Sequence, residues 1–192
     1  NITFKGKVFF INNEFYSEAF FSDSTFNNSV DFTASKFFKN TYFTNTAFNS
    51  QATFSIAQFY SGADFNSLHS SNSISFERVK FHNILPNFTQ VIFKEAPRLD
   101  NIEIKPEVSP GNLINSISTY IHPDIKASYQ ALKRLAVQAH DHENEQRFWA
   151  GELRSDRSLR TEDGSWNLRP LVSAFWWGNI AYGCVSDYGR SI

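Results

Sequence analysis

Residues 43–65 read FTNTAFNSQATFSIAQFYSGADF, with phenylalanine at positions 43, 48, 54, 59 and 65. The steps between these residues alternate between five and six, which gives a period of eleven. Neither an α-helix, with about 3.6 residues per turn, nor a flat strand, with a period of about two, repeats in this way. The stretch therefore predicts a coil built from short, flat sides.

The same register runs through residues 1–104 and predicts one continuous solenoid. It has 19 positions, and 16 of the 21 phenylalanines in the chain occupy them. Ser70, Leu99 and Ile104 stand at the remaining positions, and a single seven-residue step precedes Phe88. A repeat of this regularity decides the whole fold, so it takes precedence over local secondary-structure signals.

A second, smaller residue lies two positions before most register positions, as Ala52 does before Phe54 and Ala63 before Phe65. Residues i and i+2 of an extended segment share one face, so each unit is expected to direct one large and one small side chain inward. The interleaved Asn, Ser, Asp and Thr can close the corners through hydrogen bonds from side chain to backbone.

This pattern resembles the pentapeptide-repeat family, in which a small residue precedes a central Leu or Phe by two positions. The segments Ala52-Thr53-Phe54-Ser55 and Ala63-Asp64-Phe65-Asn66 match it, and the resemblance covers residues 1–104. It implies a right-handed, quadrilateral β-helix with one repeat per side and an 11-residue double repeat. Two double repeats then make a coil of about 22 residues. The sixth residue of alternate units is expected to bulge one pair of opposite corners.

Stacking of every fourth register position predicts four inward columns in nearly five coils. At roughly 4.8 Å per rung, the shaft would be about 23 Å long. Burial of each Phe side chain contributes about 1.5–3 kcal/mol, so these columns are expected to be the main support of the fold. Ser70 is expected to be a local weak point that Leu68 covers. The columns are Phe4-Phe26-Phe48-Ser70-Phe93, Phe10-Phe32-Phe54-Phe76-Leu99, Phe15-Phe37-Phe59-Phe81-Ile104 and Phe21-Phe43-Phe65-Phe88.

The two ends of such a solenoid expose apolar side chains and unpaired backbone, so each needs a cover. Pro97, Pro106 and Pro110-Gly111 mark the exit from the repeats. The chain has no methionine and opens within the register, which favours a part of a longer or processed chain. The N-terminal end is therefore expected to meet either further sequence or the same end of another copy, in an end-to-end homodimer.

Helical periodicity replaces the repeats after Pro123, a residue that can begin a helix. Ile125, Tyr129, Leu132 and Leu135 recur at helical spacing. His140-Asp141-His142 predicts a turn or a kink.

A second helical run follows, with Phe148, Trp149 and Leu153 as its apolar positions. A loop over 162–165 and a third amphipathic stretch from Pro170 complete the tail. We expect a helical hairpin with an appended helix that covers the exit end. The predicted organisation is a β-helix over 1–105, an exit linker over 106–122 and a helical capping and linker region over 123–192.

The tail resembles a subgroup of bacterial pentapeptide-repeat membrane proteins, in which a helical linker ends in a Ser-Asp-Tyr-Gly-Arg-Ser motif before transmembrane helices. Residues 129–135, 141–153 and 186–191 carry this resemblance. It implies the soluble part of a bacterial membrane protein, located at the cytoplasmic face, with membrane segments after Ile192. The group Phe175, Trp176, Trp177 and Tyr182 suits either a membrane interface or packing against the shaft.

Charge and cysteine content argue against several classes of protein. The chain carries 18 basic and 19 acidic side chains, so it has neither the basic field of a nucleic-acid binder nor the acidic field of a DNA mimic. We therefore expect no nucleic-acid partner. Cys184 is the only cysteine, which rules out an intrachain disulfide and favours a reducing compartment.

The sequence contains one dense group of possible metal ligands, His140, Asp141, His142 and Glu143. Two His residues at i and i+2 do not face one way on a helix, so a solvated polar turn is the favoured interpretation. His69, His82 and His122 are isolated, the pair Glu143 and Arg147 is typical of a solvated helix face, and Cys184 has no neighbouring His. We predict no catalytic, cofactor-binding or metal-ligating residue, and no cofactor.

Three functional classes remain open. The favoured one is a non-catalytic structural or protein-interaction domain with an unidentified protein partner, since repeated flat faces offer no pocket. The first alternative is a DNA-mimic inhibitor, which the near-zero net charge disfavours. The second is a ligand-regulated channel or enzyme accessory domain, whose site would lie where the helices meet the shaft.

Overall fold

The fold is a parallel β-solenoid of about five turns followed by two helices. The computed structural model describes residues 1–105 and 125–156, with side chains described up to Leu153. A compact unit spans Asn1–Leu153 and holds the solenoid and the helices up to that residue. The prediction of a mainly β solenoid with a following helical region is confirmed.

The solenoid contains 17 strands of two residues each within the described part of the chain. They are β1 (Thr3–Phe4), β2 (Val8–Phe9), β3 (Glu14–Phe15), β4 (Ala19–Phe20), β5 (Thr25–Phe26), β6 (Val30–Asp31), β7 (Lys36–Phe37), β8 (Thr41–Tyr42), β9 (Ala47–Phe48), β10 (Ala52–Thr53), β11 (Gln58–Phe59), β12 (Ala63–Asp64), β13 (His69–Ser70), β14 (Ile74–Ser75), β15 (Lys80–Phe81), β16 (Ile92–Phe93) and β17 (Glu103–Ile104).

Four parallel sheets collect the strands that lie one coil apart. Sheet A has the order β1-β5-β9-β13-β16, sheet B β2-β6-β10-β14, sheet C β3-β7-β11-β15-β17 and sheet D β4-β8-β12. Phe4 pairs with Phe26, 22 residues on, and Ser70 pairs with Phe93, 23 residues on, because the seven-residue step intervenes. The predicted coil length and columns are therefore confirmed. The right-handed sense and the square cross-section stay predictions.

Two kinds of corner alternate along the solenoid. At each five-residue step, the residue two positions after the register residue has a positive φ of 54–62°. The next amide usually donates to the register carbonyl, as Ala57 N does to Phe54 O at 2.9 Å, which makes a turn with positive φ at its third residue. The six-residue steps pass through bends, such as those at 49–50 and 60–61. The left-handed corner residues are Asn12, Asp23, Ala34, Asn45, Ile56, Ser67, Arg78, Gln90 and Asn101.

The core is organised around rings from sheets B and D, which contact each other across the interior. Successive rings are edge-to-face, with centroids 5.2–5.7 Å apart and planes at 68–90°. Each also stacks flat on its neighbour in the same sheet, as Phe32 does on Phe54 at 4.8 Å. Rings of sheets A and C contact this group from its sides. We call the group the phenylalanine spine: Phe10, Phe21, Phe32, Phe43, Phe54, Phe65, Phe76 and Phe88.

Ser70 interrupts the column of sheet A and not the spine. Its hydroxyl donates to the carbonyl of Asn72 at 2.7 Å, which satisfies a buried polar group. Leu68, two residues before it, is fully buried. In the same column, the rings of Phe26 and Phe48 are tilted by 36° instead of lying parallel.

The two helices are α1 (Ile125–Gln138) and α2 (His142–Asp156), joined by the turn that the sequence predicts. His140 has a φ of 55° and its amide donates to Val137 O, while Asp141 N donates to Ala136 O. Together these bonds close α1 with a Schellman motif. Asp141 then caps α2, because its Oδ1 accepts from the amide of Asn144 at 3.0 Å.

The helices cross closely and bury one face each. Gly151 lies against the ring of Tyr129, where an added Cβ would fall 2.3 Å from the nearest ring atom. Lys133 Nζ lies 2.6 Å from Glu152 Oε2 and ties α1 to α2. Phe148 is buried as predicted, whereas Trp149, predicted as an apolar position of the same helix, is 46% exposed.

The remaining predictions for the tail lie outside the described residues. These are the exit linker over 106–122, the loop over 162–165, the stretch from Pro170, Cys184 and the motif over 186–191. The predicted boundaries between these regions therefore stay predictions. Of the two helices that the structure describes, neither has the length and apolar character needed to cross a membrane.

Replacing Phe54 by alanine should lower the free energy of unfolding by about 3–5 kcal/mol, because the change removes a fully buried ring from a column and from the spine. Chemical denaturation followed by circular dichroism measures the loss. Ile92→Ala is the control, since Ile92 is 56% exposed, and it should cost less than about 1 kcal/mol. A loss below about 1 kcal/mol for Phe54→Ala would contradict the assigned register.

Candidate functional site

The outer surface of sheet C carries a continuous row of stacked rings, Tyr16, Phe38, Tyr60 and His82. Each ring follows an inward phenylalanine of sheet C. Successive side chains of an extended segment point to opposite faces, so the ring lies on the outer face. Neighbouring rings are parallel within 11°, with centroids 5.0, 5.0 and 4.4 Å apart. We call this row the aromatic ladder.

Polar side chains beside the aromatic ladder hold its phenol groups in place. Lys36 Nζ lies 2.9 Å from Glu14 Oε1, and the Tyr16 hydroxyl donates to the other carboxylate oxygen. These contacts, the Tyr16 hydrogen bond first and Lys36 second, lower the pKa of Glu14. Two coils beyond Tyr16, the Tyr60 hydroxyl donates to Gln58 Oε1 at 2.9 Å.

The C-terminal end of the same face carries a charge cluster. Glu103 lies between Lys105 Nζ at 2.9 Å and Lys80 Nζ at 3.1 Å. Hydrogen bonds from these two ammonium groups, Lys105 first, lower the pKa of Glu103 to about 2. The carboxylate therefore stays ionised throughout the physiological range, and the cluster joins β15 to β17.

The geometry of the aromatic ladder limits what it can bind. The rings of the ladder stack face to face along the row. The two middle rings, Phe38 and Tyr60, therefore offer a partner only their edges and polar atoms. A sugar ring or a planar ligand needs an open aromatic face, whereas a flat protein surface can contact ring edges and a phenol together. The ladder spans four coils at fixed spacing, so it presents a rigid strip of mixed apolar and polar character.

A second feature is a solvent-open cleft of about 830 Å³ where the last coils meet the turn between α1 and α2. Arg147 contacts the solenoid here, where it donates to Ile102 O at 3.1 Å and to Ile104 O at 2.9 Å. Its guanidinium therefore fixes α2 to the last coil. The charged side chains and His residues that line the cleft are Arg78, Lys80, Asp100, Glu103, His140, Asp141, His142, Glu143 and Arg147.

The dense ligand group of the sequence is a structural turn. His140 ends α1, Asp141 caps α2, and His142 Nδ1 lies 3.3 Å from Glu145. Within the described part of the chain, no three His, Cys, Asp or Glu side chains are arranged to hold a metal ion. Arg147 contacts backbone carbonyls of the solenoid and not Glu143, the partner that helical spacing offers.

The other isolated candidates have separate surroundings. His69 Nδ1 lies 2.8 Å from the carbonyl of Ser67, and His82 ends the aromatic ladder. His122 and Cys184 lie outside the described residues.

The aromatic ladder was not predicted, although the sequence carries a signal for it. Once the coil is taken as 22 residues, an aromatic or imidazole ring recurs one position after the register residue at 16, 38, 60 and 82. These residues form no catalytic motif, so the row becomes visible only when the coil length is known.

Comparison with protein-family models, with curated proteins and with solved structures finds no match to this chain. The fold alone therefore defines its class. It is a parallel β-solenoid with stacked phenylalanines, and this architecture is consistent with a pentapeptide-repeat fold.

The charge cluster makes stability depend on pH in a defined direction. Because the pKa of Glu103 falls from 4.5 to about 2 on folding, its contribution is complete above pH 4.5 and is lost as the pH falls towards 2. A ¹³C titration of the side-chain carboxyl should give a midpoint of about 2. Lys105→Met should raise that midpoint, and Lys94→Met, on the same coil, should not. A wild-type midpoint near 4.5 would contradict the cluster.

Proposed function

We propose that this chain is a non-catalytic protein-interaction domain of the pentapeptide-repeat family, a rigid scaffold whose binding surface is the aromatic ladder. The observation that carries the proposal is the stacked row of Tyr16, Phe38, Tyr60 and His82 on one outer face. The fold itself requires inward rings, and it does not require aromatic residues on this side.

The chemistry of the ladder matches that of protein interfaces. Tyrosine and phenylalanine are enriched there, because each supplies a large contact area at a low cost in side-chain entropy. The ladder is held by a continuous parallel sheet, so little ordering is needed on binding. Glu14, Lys36 and Lys80 border it with both signs of charge, which favours a partner with a mixed polar rim.

The two alternative functions, a DNA mimic and a ligand-regulated domain, have less support. A DNA mimic needs a strongly acidic surface, whereas the row beside the ladder runs Glu14, Lys36, Gln58, Lys80 and Glu103. A ligand-regulated domain would use the cleft next to α2. There Arg147 is engaged with backbone carbonyls and Glu103 with two lysines.

We also propose that the parent protein is a bacterial membrane protein and that this domain lies on the cytoplasmic face. The support is the resemblance of residues 129–135, 141–153 and 186–191 to the linker of that subgroup. On this proposal the ladder is a docking strip for proteins near the membrane.

Site-specific photo-crosslinking in the source cells tests the interaction surface. A benzoylphenylalanine at Tyr60 should give one discrete heavier adduct on irradiation, because this position lies in the middle of the ladder. The same probe at Thr53, which faces outward from sheet B, is the matched control and should not. Phe38→Lys in the Tyr60-labelled chain should abolish the adduct if the ladder is the surface. Equal adducts from both positions, or none, would overturn the proposal.

Fractionation of cells that express the tagged parent protein tests the membrane placement separately. The parent should pellet with membranes, resist extraction by salt and be released by detergent, because apolar segments hold it there. Recovery in the soluble fraction would refute the membrane placement and would leave the interaction surface untouched.

A further inference from the structure

The outward residue of each strand in sheets B and D has a local task in the fold. It lies directly before the spine residue, and the amide two residues further on stands at the start of the tight corner. At five of these positions a side-chain oxygen accepts a hydrogen bond from that amide, as Asp64 does from the amide of Asn66 at 2.9 Å. The fold therefore favours a short acceptor side chain here. The five acceptors are Asp31, Thr53, Asp64, Ser75 and Asn87.

Tyr42 departs from this pattern on the outer side of sheet D. Its side chain makes no such bond, and no other acceptor in the described part of the chain bonds to the amide of Thr44. The Tyr42 ring instead stacks flat on Phe20 of the preceding coil, with centroids 5.0 Å apart. Tyr16 and Tyr60 donate their hydroxyls to neighbouring side chains. The partly exposed Tyr42 hydroxyl has no partner among the residues that the structure describes, so it is available to another molecule.

The corner between sheets C and D joins Tyr42 to the aromatic ladder. Phe38 of the ladder lies four positions before Tyr42, and the chain bends between them at Lys39. Asn40, the next residue, is buried, and its Oδ1 accepts from the hydroxyl of Ser61 in the following coil at 2.7 Å. This bond fixes the corner to its neighbour. Lys39 therefore lies on a fixed corner, between an outward ring of sheet C and an outward ring of sheet D.

Lys39 is an exposed cation, and the described part of the chain provides no carboxylate in ion-pairing distance of it. Lys36 and Lys80, which border the ladder, are each paired with a glutamate. Glu18 lies on the same corner one coil earlier and forms no ion pair with Lys39. A free ammonium group and a free phenol, with a ring on either side, are complementary to a carboxylate flanked by apolar groups. The fold does not require a cation at this position, where the other coils carry Ser17, Ser61 and Asn83.

We propose that the partner of the aromatic ladder also covers the corner between sheets C and D, and that it presents an aspartate or glutamate carboxylate to Lys39 and Tyr42. Apolar side chains on either side of that carboxylate then lie against the rings of Phe38 and Tyr42. The inference rests on the interaction proposed for the ladder and specifies the chemistry of the partner. The partner segment carries an acidic residue between apolar residues, and it follows the surface of the solenoid round the corner.

Selection of random peptides displayed on phage against the 192-residue chain tests this chemistry. The selected peptides should share an acidic residue flanked by aromatic or aliphatic residues, and fluorescence anisotropy measures the binding of a synthetic copy. Lys39→Glu should weaken that binding at least about tenfold, because it sets like charges opposite one another. Lys94→Glu, at an exposed lysine beside sheet A, is the matched control and should have no effect. Exchange of the acidic residue of the peptide for lysine should restore binding to the Lys39→Glu chain.

Tyr42→Asp tests whether the ring serves binding or the fold. The aspartate can accept from the amide of Thr44, as Asp64 does from the amide of Asn66. The melting temperature, followed by circular dichroism, should therefore stay at or above the wild-type value. The same change should weaken peptide binding at least about tenfold, because it removes a ring and adds a like charge. A clear fall in the melting temperature would mean that the ring is needed for its stacking on Phe20, and would overturn the proposal.

A change in the middle of the ladder separates this inference from the interaction on which it rests. Tyr60→Lys should also weaken the peptide, because one partner covers both surfaces. Loss with Tyr60→Lys and not with Lys39→Glu would leave the ladder as the binding surface and would overturn the carboxylate contact. Loss with Lys39→Glu and not with Tyr60→Lys would support the carboxylate contact and would refute the ladder. Selected peptides without a shared acidic residue, or a selection that yields none, would overturn the inference.

Discussion

Edge-to-face contact between the rings of sheets B and D is the interaction on which the rest of the solenoid depends. Each spine ring lies flat on a ring of its own sheet and edge-on to rings of the facing sheet, as Phe54 does with Phe76 and Phe43. Both arrangements suit the charge distribution of an aromatic ring, and an aliphatic side chain could supply neither. Rings of sheets A and C meet the spine only from its sides. This difference explains why Ser70 is tolerated in sheet A. Ser70 has no ring, but sheet A does not contribute to the spine, so the spine stays continuous.

The spine also determines how the backbone turns. Each spine residue begins a tight corner, in which the residue two positions later takes a left-handed φ. In every case but Phe88, the carbonyl of the spine residue accepts a hydrogen bond from the amide three residues on. Asn and Asp tolerate that conformation, and Asp23 and Asn45 occupy it, but Ala34 and Ile56 occupy it as well. Packing of the rings therefore overrides the local preference of the corner residue. Because one residue fixes both a ring and a corner, a change of register would disturb the core and the turns together.

The sequence predicts the inward positions and the pairing of coils, because a period of eleven determines both at once. The step lengths separate two sets of rings, because Phe54 begins a five-residue step and Phe59 a six-residue step. They do not tell which set makes the edge-to-face contacts across the interior. The sequence also does not predict that Arg147 caps the last coil. Its helical spacing offers Glu143, and its actual partners are carbonyls more than 40 residues away. Contacts of that kind depend on how α2 lies on the last coil, which no local pattern contains.

Outward positions are where function can be sought in a fold of this kind. The inward and corner residues are committed to the core and the turns, so what remains free to vary is the outer face of each strand. Polar residues such as Asp31, Thr53 and Ser75 keep that face solvated on sheet B, and a solvated face is the default for an isolated solenoid. Aromatic residues depart from it in two places, along sheet C and on the outer side of sheet D, where Phe20 stacks on Tyr42. Each such residue exposes apolar area that solvent does not favour. That cost is offset only where another surface covers the residue, so these two places are where contacts with other molecules are expected.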